Sequence, residues 1–389
     1  MSRVDCNQLW KIYAGDVIGV RDLTFTCHDK EFLAILGPSG GGKSSTLRML
    51  AGLEGVSRGQ ISFDGQVVNK LGPAERNVAL AFESYALYQR MSVYNNIAFP
   101  LRARGMNKAD VHRNVKEIAE AFDLVSILKR KPSELAGGHQ QRVSLARALV
   151  RKPRLTLLDE PISHMDQRVR AEIRARIRRI HDELGNTTIY VTHDQAEAIS
   201  LCDRLLILHE GRMQQIGTVD EIWNQPRTTF VASFVGEPAM NFIDGIVEGP
   251  QQVSIATTEG KRTFEFRGQV DLKYIGADIT IGVRPHQIRI TPGKEKEESM
   301  PGSVKVVEFQ GDTTVLTLEI SDPSKTQVKV VVPEAVKYKM KETAWLQFSP
   351  EFVHLFDGET AIIQRNGEAS TPSRTVSPPP DESGIIQST

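Results

Sequence analysis

Phe32-Leu-Ala-Ile-Leu36-Gly37-Pro38-Ser39-Gly40-Gly41-Gly42-Lys43-Ser44-Ser45-Thr46-Leu47-Arg48-Met49-Leu50-Ala51 holds three textures in one short run. The apolar residues Phe32–Leu36 read as a buried strand. Four glycines, one proline and a serine then make a turn, and from Lys43 to about Leu53 the spacing becomes helical. The turn fits G-x-x-x-x-G-K-[ST], a pattern that chance alone gives in about one chain of this length in a hundred. Glycines let successive amide N–H groups point inward at a helix N-terminus, a cradle suited to a triphosphate. Lys43 would neutralise the β- and γ-phosphates, and the Ser44 hydroxyl would face Mg²⁺.

Outward from this stretch, three more apolar runs have strand character: Leu155–Leu158, Thr188–Val191 and Arg204–Leu208. The first ends in Asp159-Glu160. A buried strand that delivers a carboxylate to its C-terminal edge is how a sheet of this kind places a Mg²⁺ ligand beside phosphates. Asp159 is expected to hold the ion and Glu160 to act as general base on the attacking water. Thr188–Val191 runs into Thr192-His193-Asp194. From the end of a sheet strand the His193 imidazole can reach a terminal phosphate and its water.

The surroundings are those of a soluble α/β protein of more than one domain. The chain has 389 residues, 40% hydrophobic and 25% charged, with formal net charge zero; single cores rarely grow beyond about 250–300 residues. A neutral total gives no global field to recruit nucleic acid or an anionic membrane. Cys6, Cys27 and Cys202 lack metal-ligand spacing and read as free thiols of a reducing compartment. The first residues lack the apolar core of a signal peptide, and nowhere do about 18 apolar residues run together. Residues 1–235 are therefore expected to form an α/β domain with a largely parallel sheet. Its segment from about 92 to 150 turns helical, with Val111, Val115, Ile118, Ala119 and Phe122 at spacings of three and four. Short β-branched runs at Ile279–Val283, Gly302–Val307 and Val328–Val332 suggest a small all-β domain over 241–365. The Ser-, Thr- and Pro-rich stretch 366–389 reads as a disordered tail. The helix after Asp166 is rich in arginine, but Val169, Ile173, Ile177, Ile180 and Leu184 give it an apolar stripe, so a solvated helix face is favoured over a nucleic-acid site.

Taken together, these motifs resemble the ATP-binding-cassette (ABC) family across nearly the whole chain. Leu135-Ala136-Gly137-Gly138-His139-Gln-Gln-Arg142 is similar to the signature loop, Leu-Ser-Gly-Gly-Gln. Asp159-Glu-Pro-Ile-Ser-His-Met-Asp166 resembles the second acidic motif running into the D-loop. His193 falls at the switch histidine, Tyr13 at the aromatic that stacks on adenine, and Glu83-Ser-Tyr-Ala-Leu-Tyr88 at the Q-loop. Gly282-Val-Arg-Pro-His286 and Leu355-Phe-Asp-Gly-Glu359 are similar to the regulatory domain of maltose- and glycerol-3-phosphate-type importer ATPases. The resemblance implies a P-loop NTPase fold of the ABC ATPase type with a helical subdomain, followed by an OB-like all-β regulatory domain. It implies ATP and Mg²⁺, bound by Tyr13, by Gly37 to Ser45 and, across a dimer, by Ala136, Gly137, Gly138, His139 and Asp166. Ser44, Asp159 and Glu83 would serve the metal; Glu160, His193 and Glu83 would serve hydrolysis. It further implies two membrane permeases, a second ATPase subunit and an external solute-binding protein, with this chain at the cytoplasmic face of a bacterial inner membrane and no nucleic acid. The activity expected is ATP hydrolysis driving import of a sugar, polyol or related carbohydrate.

The chain departs from the family at three positions. Glu83 replaces the Q-loop glutamine, and Ala136 and His139 replace the signature serine and glutamine. A carboxylate at 83 would attract Mg²⁺ and repel the γ-phosphate, opposing effects each on the order of several kcal/mol at about 4 Å. Ala136 removes a hydroxyl whose charge-assisted bond is worth roughly 1.5–3 kcal/mol. Such changes suit one half of a heterodimer, in which a partner's intact signature completes the site built on Lys43 and Glu160. Two rivals remain on sequence alone: a regulatory subunit that binds ATP without turnover, and a soluble cassette ATPase of translation or repair.

Overall fold

The computed structural model describes residues 2–82, 85–163 and 167–363. Glu83, Asp166 and the stretch 366–389 lie outside the described residues. The chain divides into two compact units between Met240 and Asn241.

The first unit runs β1 (Val4–Ile12), β2 (Ile18–Cys27), β3 (Phe32–Leu36), α1 (Lys43–Ala51), β4 (Arg58–Phe63), β5 (Gln66–Val67) and β6 (Val78–Ala81). Three helices follow: α2 (Val93–Arg102), α3 (Lys108–Ala121) and α4 (Gly137–Leu149). Then come β7 (Leu155–Asp159), α5 (Gln167–Leu184), β8 (Thr187–Thr192), α6 (Gln195–Leu201), β9 (Arg204–His209), β10 (Arg212–Gly217), α7 (Val219–Asn224) and α8 (Thr229–Phe234). Six strands form the main sheet in the order β10-β9-β3-β8-β7-β6, parallel except for β10. The side chains of β3, β7 and β8 are buried along their whole length, as expected of central strands covered on both faces. Leu36 pairs with Thr192 and Asp159 with Val191, so the C-terminal ends of these three strands are level. That register is what gathers the loops after them.

A second sheet, β2-β1-β4-β5, is antiparallel and was not foreseen in a reading that expected a largely parallel domain. The helix after the glycine turn ends at Ala51 rather than Leu53. Gly52 takes the left-handed conformation (φ 76°) that closes a helix C-terminus. The buried Arg76 guanidinium donates to the last carbonyls, Met49 O at 2.5 Å and Leu50 O at 2.9 Å. Each of α2 and α3 starts on a side-chain cap: Ser92 accepts from Asn95 N, and Asn107 from Asp110 N. Val111, Val115, Ala119 and Phe122 are buried against the same core that receives Val143, Ala146 and Leu149 of α4. On α5, Ile173, Ile177 and Ile180 are buried while Arg178 and Arg179 pair with Asp203 and Glu183.

The second unit is antiparallel β throughout. Its strands are β11 (Asn241–Gly249), β12 (Gln252–Thr257), β13 (Gly260–Glu265), β14 (Asp278–Val283), β15 (Ile288–Thr291), β16 (Met300–Phe309), β17 (Thr313–Ile320), β18 (Gln327–Pro333), β19 (Thr343–Phe348), β20 (His354–Asp357) and β21 (Thr360–Ala361). Two sheets result, β13-β12-β11-β14-β20-β21 and β15-β19-β16-β17-β18. Strict alternation along β18 turns Val328, Val330 and Val332 into one core shared by both sheets. The Asn241 amide joins the sheets: it donates to Val283 O and Lys329 O and accepts from Lys329 N. No helix among the described residues is long and apolar enough to cross a membrane.

Candidate nucleotide site

The turn after β3 is fixed by close packing that tolerates only glycine at two positions. A Cβ on Gly37 would stand 2.1 Å from Leu208 O, and one on Gly42 would stand 2.4 Å from Gly19 O. Gly42 also has φ 95°, and Gly40 has φ 80° with open space around it. Gly41 N donates back to Pro38 O, which folds the turn over itself. Gly42 is the N-cap of α1 and no side chain caps it. Intrahelical bonding begins only at Thr46 N, which donates to Gly42 O, so the amides of Lys43, Ser44 and Ser45 face outward from the helix start. Ser39 and Gly40 are exposed at the rim.

Substituting the two kinds of glycine separates packing from backbone strain. Gly42→Ala adds a clash to a left-handed backbone and should lower the melting temperature of the first unit by about 3–10 °C. Gly40→Ala carries strain alone and should cost less. Equal melting temperatures for the two variants, read by differential scanning calorimetry, would contradict this packing.

Acids and cations meet at this edge. Lys43 is 5% exposed and its Nζ donates to Pro38 O at 3.0 Å. Burial lowers the Lys43 pKa, while the carboxylates of Glu160 and Asp159 act the other way. The Ser44 hydroxyl donates to Asp159 Oδ1 at 3.1 Å. Glu160 follows in left-handed backbone (φ 45°), with its N–H on Val191 O and its carbonyl accepting from Ser163 Oγ. An L residue held there stores strain, a feature that collects at functional sites. Its carboxylate Oε2 lies 2.8 Å from His193 Nδ1. So the structure brings Lys43, Ser44, Asp159, Glu160 and His193 to one sheet edge.

Supports hold these groups, and several were not read from the sequence. The loop after β8 is pinned by Asp194, which accepts from Glu197 N and from Arg170 Nη1 at 3.1 Å. Beneath it, Glu197 is buried and accepts from Tyr190 Oη and Thr192 Oγ1. Burial raises its pKa. Tyr13 sits against Gly19, and its hydroxyl is 2.9 Å from Ser45 Oγ. Lys11 Nζ lies 4.8 Å from the Tyr13 ring centre and is held by Glu54 at 2.7 Å.

The signature-like residues stand apart from this edge. Ala136 is the N-cap of α4 and supplies no side-chain cap, where serine would add about 1 kcal/mol. Its carbonyl accepts from His139 N and Gln140 N. His139 is half-buried, and burial, with Arg142 beside it, pushes its pKa down. Among the described residues, no hydrogen bond joins Ala136, Gly137, Gly138 or His139 to the loop at Gly37–Ser44. Two predicted participants, Glu83 and Asp166, lie outside the described residues.

The chain is similar to known families and proteins over most of its length. Residues 20–163 match the ABC transporter family, residues 236–288 the MalK OB fold domain and residues 281–356 the TOBE domain. The trehalose/maltose import ATP-binding protein MalK of Thermococcus litoralis is 39% identical over 92% of this chain and 99% of its own length. The multiple sugar-binding transport ATP-binding protein MsmK of Streptococcus mutans is 38% identical over 94% of this chain and 100% of its own length. The sn-glycerol-3-phosphate import ATP-binding protein UgpC of Psychromonas ingrahamii is 38% identical over 93% and 95%. A solved dimeric ATP-binding cassette in a post-hydrolysis state, bound to ADP and phosphate, superposes with a TM-score of 0.52 at 25% identity. It covers 56% of this chain and 98% of that structure.

Proposed function

The chain belongs to the ABC transporter ATPases, and from that membership we propose that it powers import of a sugar, polyol or related carbohydrate. One observation carries the catalytic part of this reading: Ser44–Asp159 and Glu160–His193 pair at 3.1 and 2.8 Å at the C-terminal edge of the parallel strands of one sheet. The carbohydrate class follows the relatives, whose similarity extends through the β unit.

The uncapped start of α1 and the Lys43 ammonium offer a phosphate cradle: outward amides, a positive helix end and a buried cation. Ser44 and Asp159, a hydroxyl and a carboxylate suited to a hard cation, would hold Mg²⁺, which would supply charge neutralisation at the triphosphate. Glu160 accepts a proton from the water that attacks the γ-phosphorus as the bond to the bridging oxygen breaks, leaving ADP and phosphate. His193 orients the Glu160 carboxylate and is placed to donate to the γ-phosphate. Tyr13, backed by Lys11, offers a face to the base. Glu83 would serve the metal and hydrolysis and Asp166 the nucleotide, roles that the family resemblance implies.

The chain would act as one of two ATPase subunits beneath two permeases, at the cytoplasmic face of the membrane and fed by an external solute-binding protein. Among the described residues its phosphate edge carries Lys43, Ser44, Asp159, Glu160 and His193, while its signature lacks the serine hydroxyl, which favours a heterodimer. ATPase activity should then rise about tenfold or more when a second cassette with an intact signature is added, by analogy with other catalytic groups supplied in trans. Ordinary turnover and solute uptake by this chain as the sole cassette would refute the heterodimer.

A further inference from the structure

In the second unit, β16 outruns one of its partners. It pairs with β19 from Met300 to Ser303, and the turn before β19 extends that edge by one residue: Val304 N donates to Glu342 O, and Lys341 N to Val304 O. From Lys305 onward the strand continues beside β17, down to Phe309 opposite Thr314, and among the described residues no strand lies along its other edge. Residues 306–310 are all exposed, so both faces of the ribbon are open there, whereas 314–318 of β17 are all buried. Val306 is 44% exposed, Val307 39% and Phe309 66%. A free apolar edge is a template for another strand, and proteins ordinarily cover it or charge it. The turn that flanks its start is strongly basic. Lys337, Lys339 and Lys341 are exposed and form no ion pair among the described residues. Met340, between two of them, is 64% exposed. The acid in this turn, Glu342, is engaged by the backbone, accepting from Lys339 N at 2.8 Å.

Beyond Ile363, the last described residue, the sequence holds one segment of complementary pattern. Asp381-Glu382-Ser383-Gly384-Ile385-Ile386-Gln387 places two acids just ahead of two adjacent isoleucines. We propose that residues 381–387 dock on this chain's own β16 as an added strand running in the same direction, the acids over the lysine turn beside Val304 and the isoleucines beside Val306 to Phe309. The spacing suits this register. Asp381 precedes Ile385 by four positions, as Val304 precedes Glu308, so the charged and apolar halves meet their counterparts together. Successive strand residues point to opposite faces, so Ile385 and Ile386 would each cover one of the two open faces, lined in turn by Val306 and Val307. Main-chain bonds along the edge would supply affinity, and the alternate side chains the register. The segment can reach: about 18 residues separate Ile363 from Asp381, about 60 Å of extended chain, against a radius of gyration of about 14 Å for a unit of this length. Tethering also presents it at an effective concentration of about 1 mM, so an affinity too weak for a free peptide suffices. Docked in this way, the segment closes the edge to a second copy of the chain.

Amide exchange read by mass spectrometry compares the full chain with a chain ending at Pro380. For a peptide affinity of about 0.1–0.3 mM, exchange at 305–309 should be about 3- to 10-fold slower in the full chain, with β11 and β14 alike in both. Replacing Ile385 and Ile386 by serine in the full chain should give the rates of the shortened one. The triple change Lys337→Glu, Lys339→Glu and Lys341→Glu should do the same. Adding Asp381→Lys and Glu382→Lys to that triple variant should then restore slow exchange, a rescue that requires the two charge clusters to meet. Equal exchange at 305–309 with and without 381–389 would overturn the proposal. Protection that grows with protein concentration would overturn it in favour of a second copy on the same edge. Quickening on truncation that runs equally through β11 and β14 would show general loosening and overturn it too. None of these readouts involves nucleotide, so failure here leaves the ATPase reading standing.

Discussion

Glu160→Gln should leave ATP bound and suppress its hydrolysis, kcat falling by about 10²–10⁴-fold, the range for loss of a positioned general base. The amide matches the carboxylate in shape and keeps a partner for His193 Nδ1, which lies 2.8 Å from Oε2 in the native chain. What it loses is basicity. The left-handed backbone at Glu160 is set by its N–H on Val191 O and by Ser163, contacts that the substitution does not touch. ATP affinity should therefore stay close to that of the wild type. Steady-state phosphate release and equilibrium nucleotide binding, measured on the same preparation, separate the two effects. A variant that hydrolyses ATP at the native rate would remove Glu160 from the chemistry.

Lys43→Ala should act on the other half of the cycle, weakening ATP binding by about 2–4 kcal/mol, or roughly 30- to 1000-fold, for the loss of charge-assisted bonds to phosphate. Two features make the effect large. The ammonium is buried at the start of α1, where water screens it poorly. It is also the counter-charge to Asp159 and Glu160, whose carboxylates would face incoming phosphates unopposed without it. Stability should change little, because among the described residues the hydrogen bond of Nζ is to a carbonyl, Pro38 O. Titration with a fluorescent ATP analogue beside a melting curve checks both halves. Unaltered affinity would mean that phosphates bind elsewhere.

Much of this edge was legible in the residues because the strands that build it are covered on both faces and so are rich in apolar and β-branched residues. Phe32–Leu36, Leu155–Asp159 and Thr187–Thr192 are strands of that kind, and the charged residues and histidine that follow or end them stand out. The antiparallel layer was hidden for the opposite reason. In β1 the buried positions Val4, Cys6, Leu9 and Lys11 keep no steady period, since register shifts interrupt its pairing with β2. The supports were hidden too. Glu197 reads as an ordinary acid in a helix first turn, yet tertiary packing buries it under Tyr190 and Thr192.

The ATPase at the centre of this account is tested most directly by a single turnover, with the purified chain and its cassette partner in excess over ATP and with Mg²⁺ present. The wild-type chain should convert its bound ATP to ADP and phosphate, while Glu160→Gln retains intact ATP over the same interval. Equal conversion by both, or ATP left whole by the wild type, would contradict it.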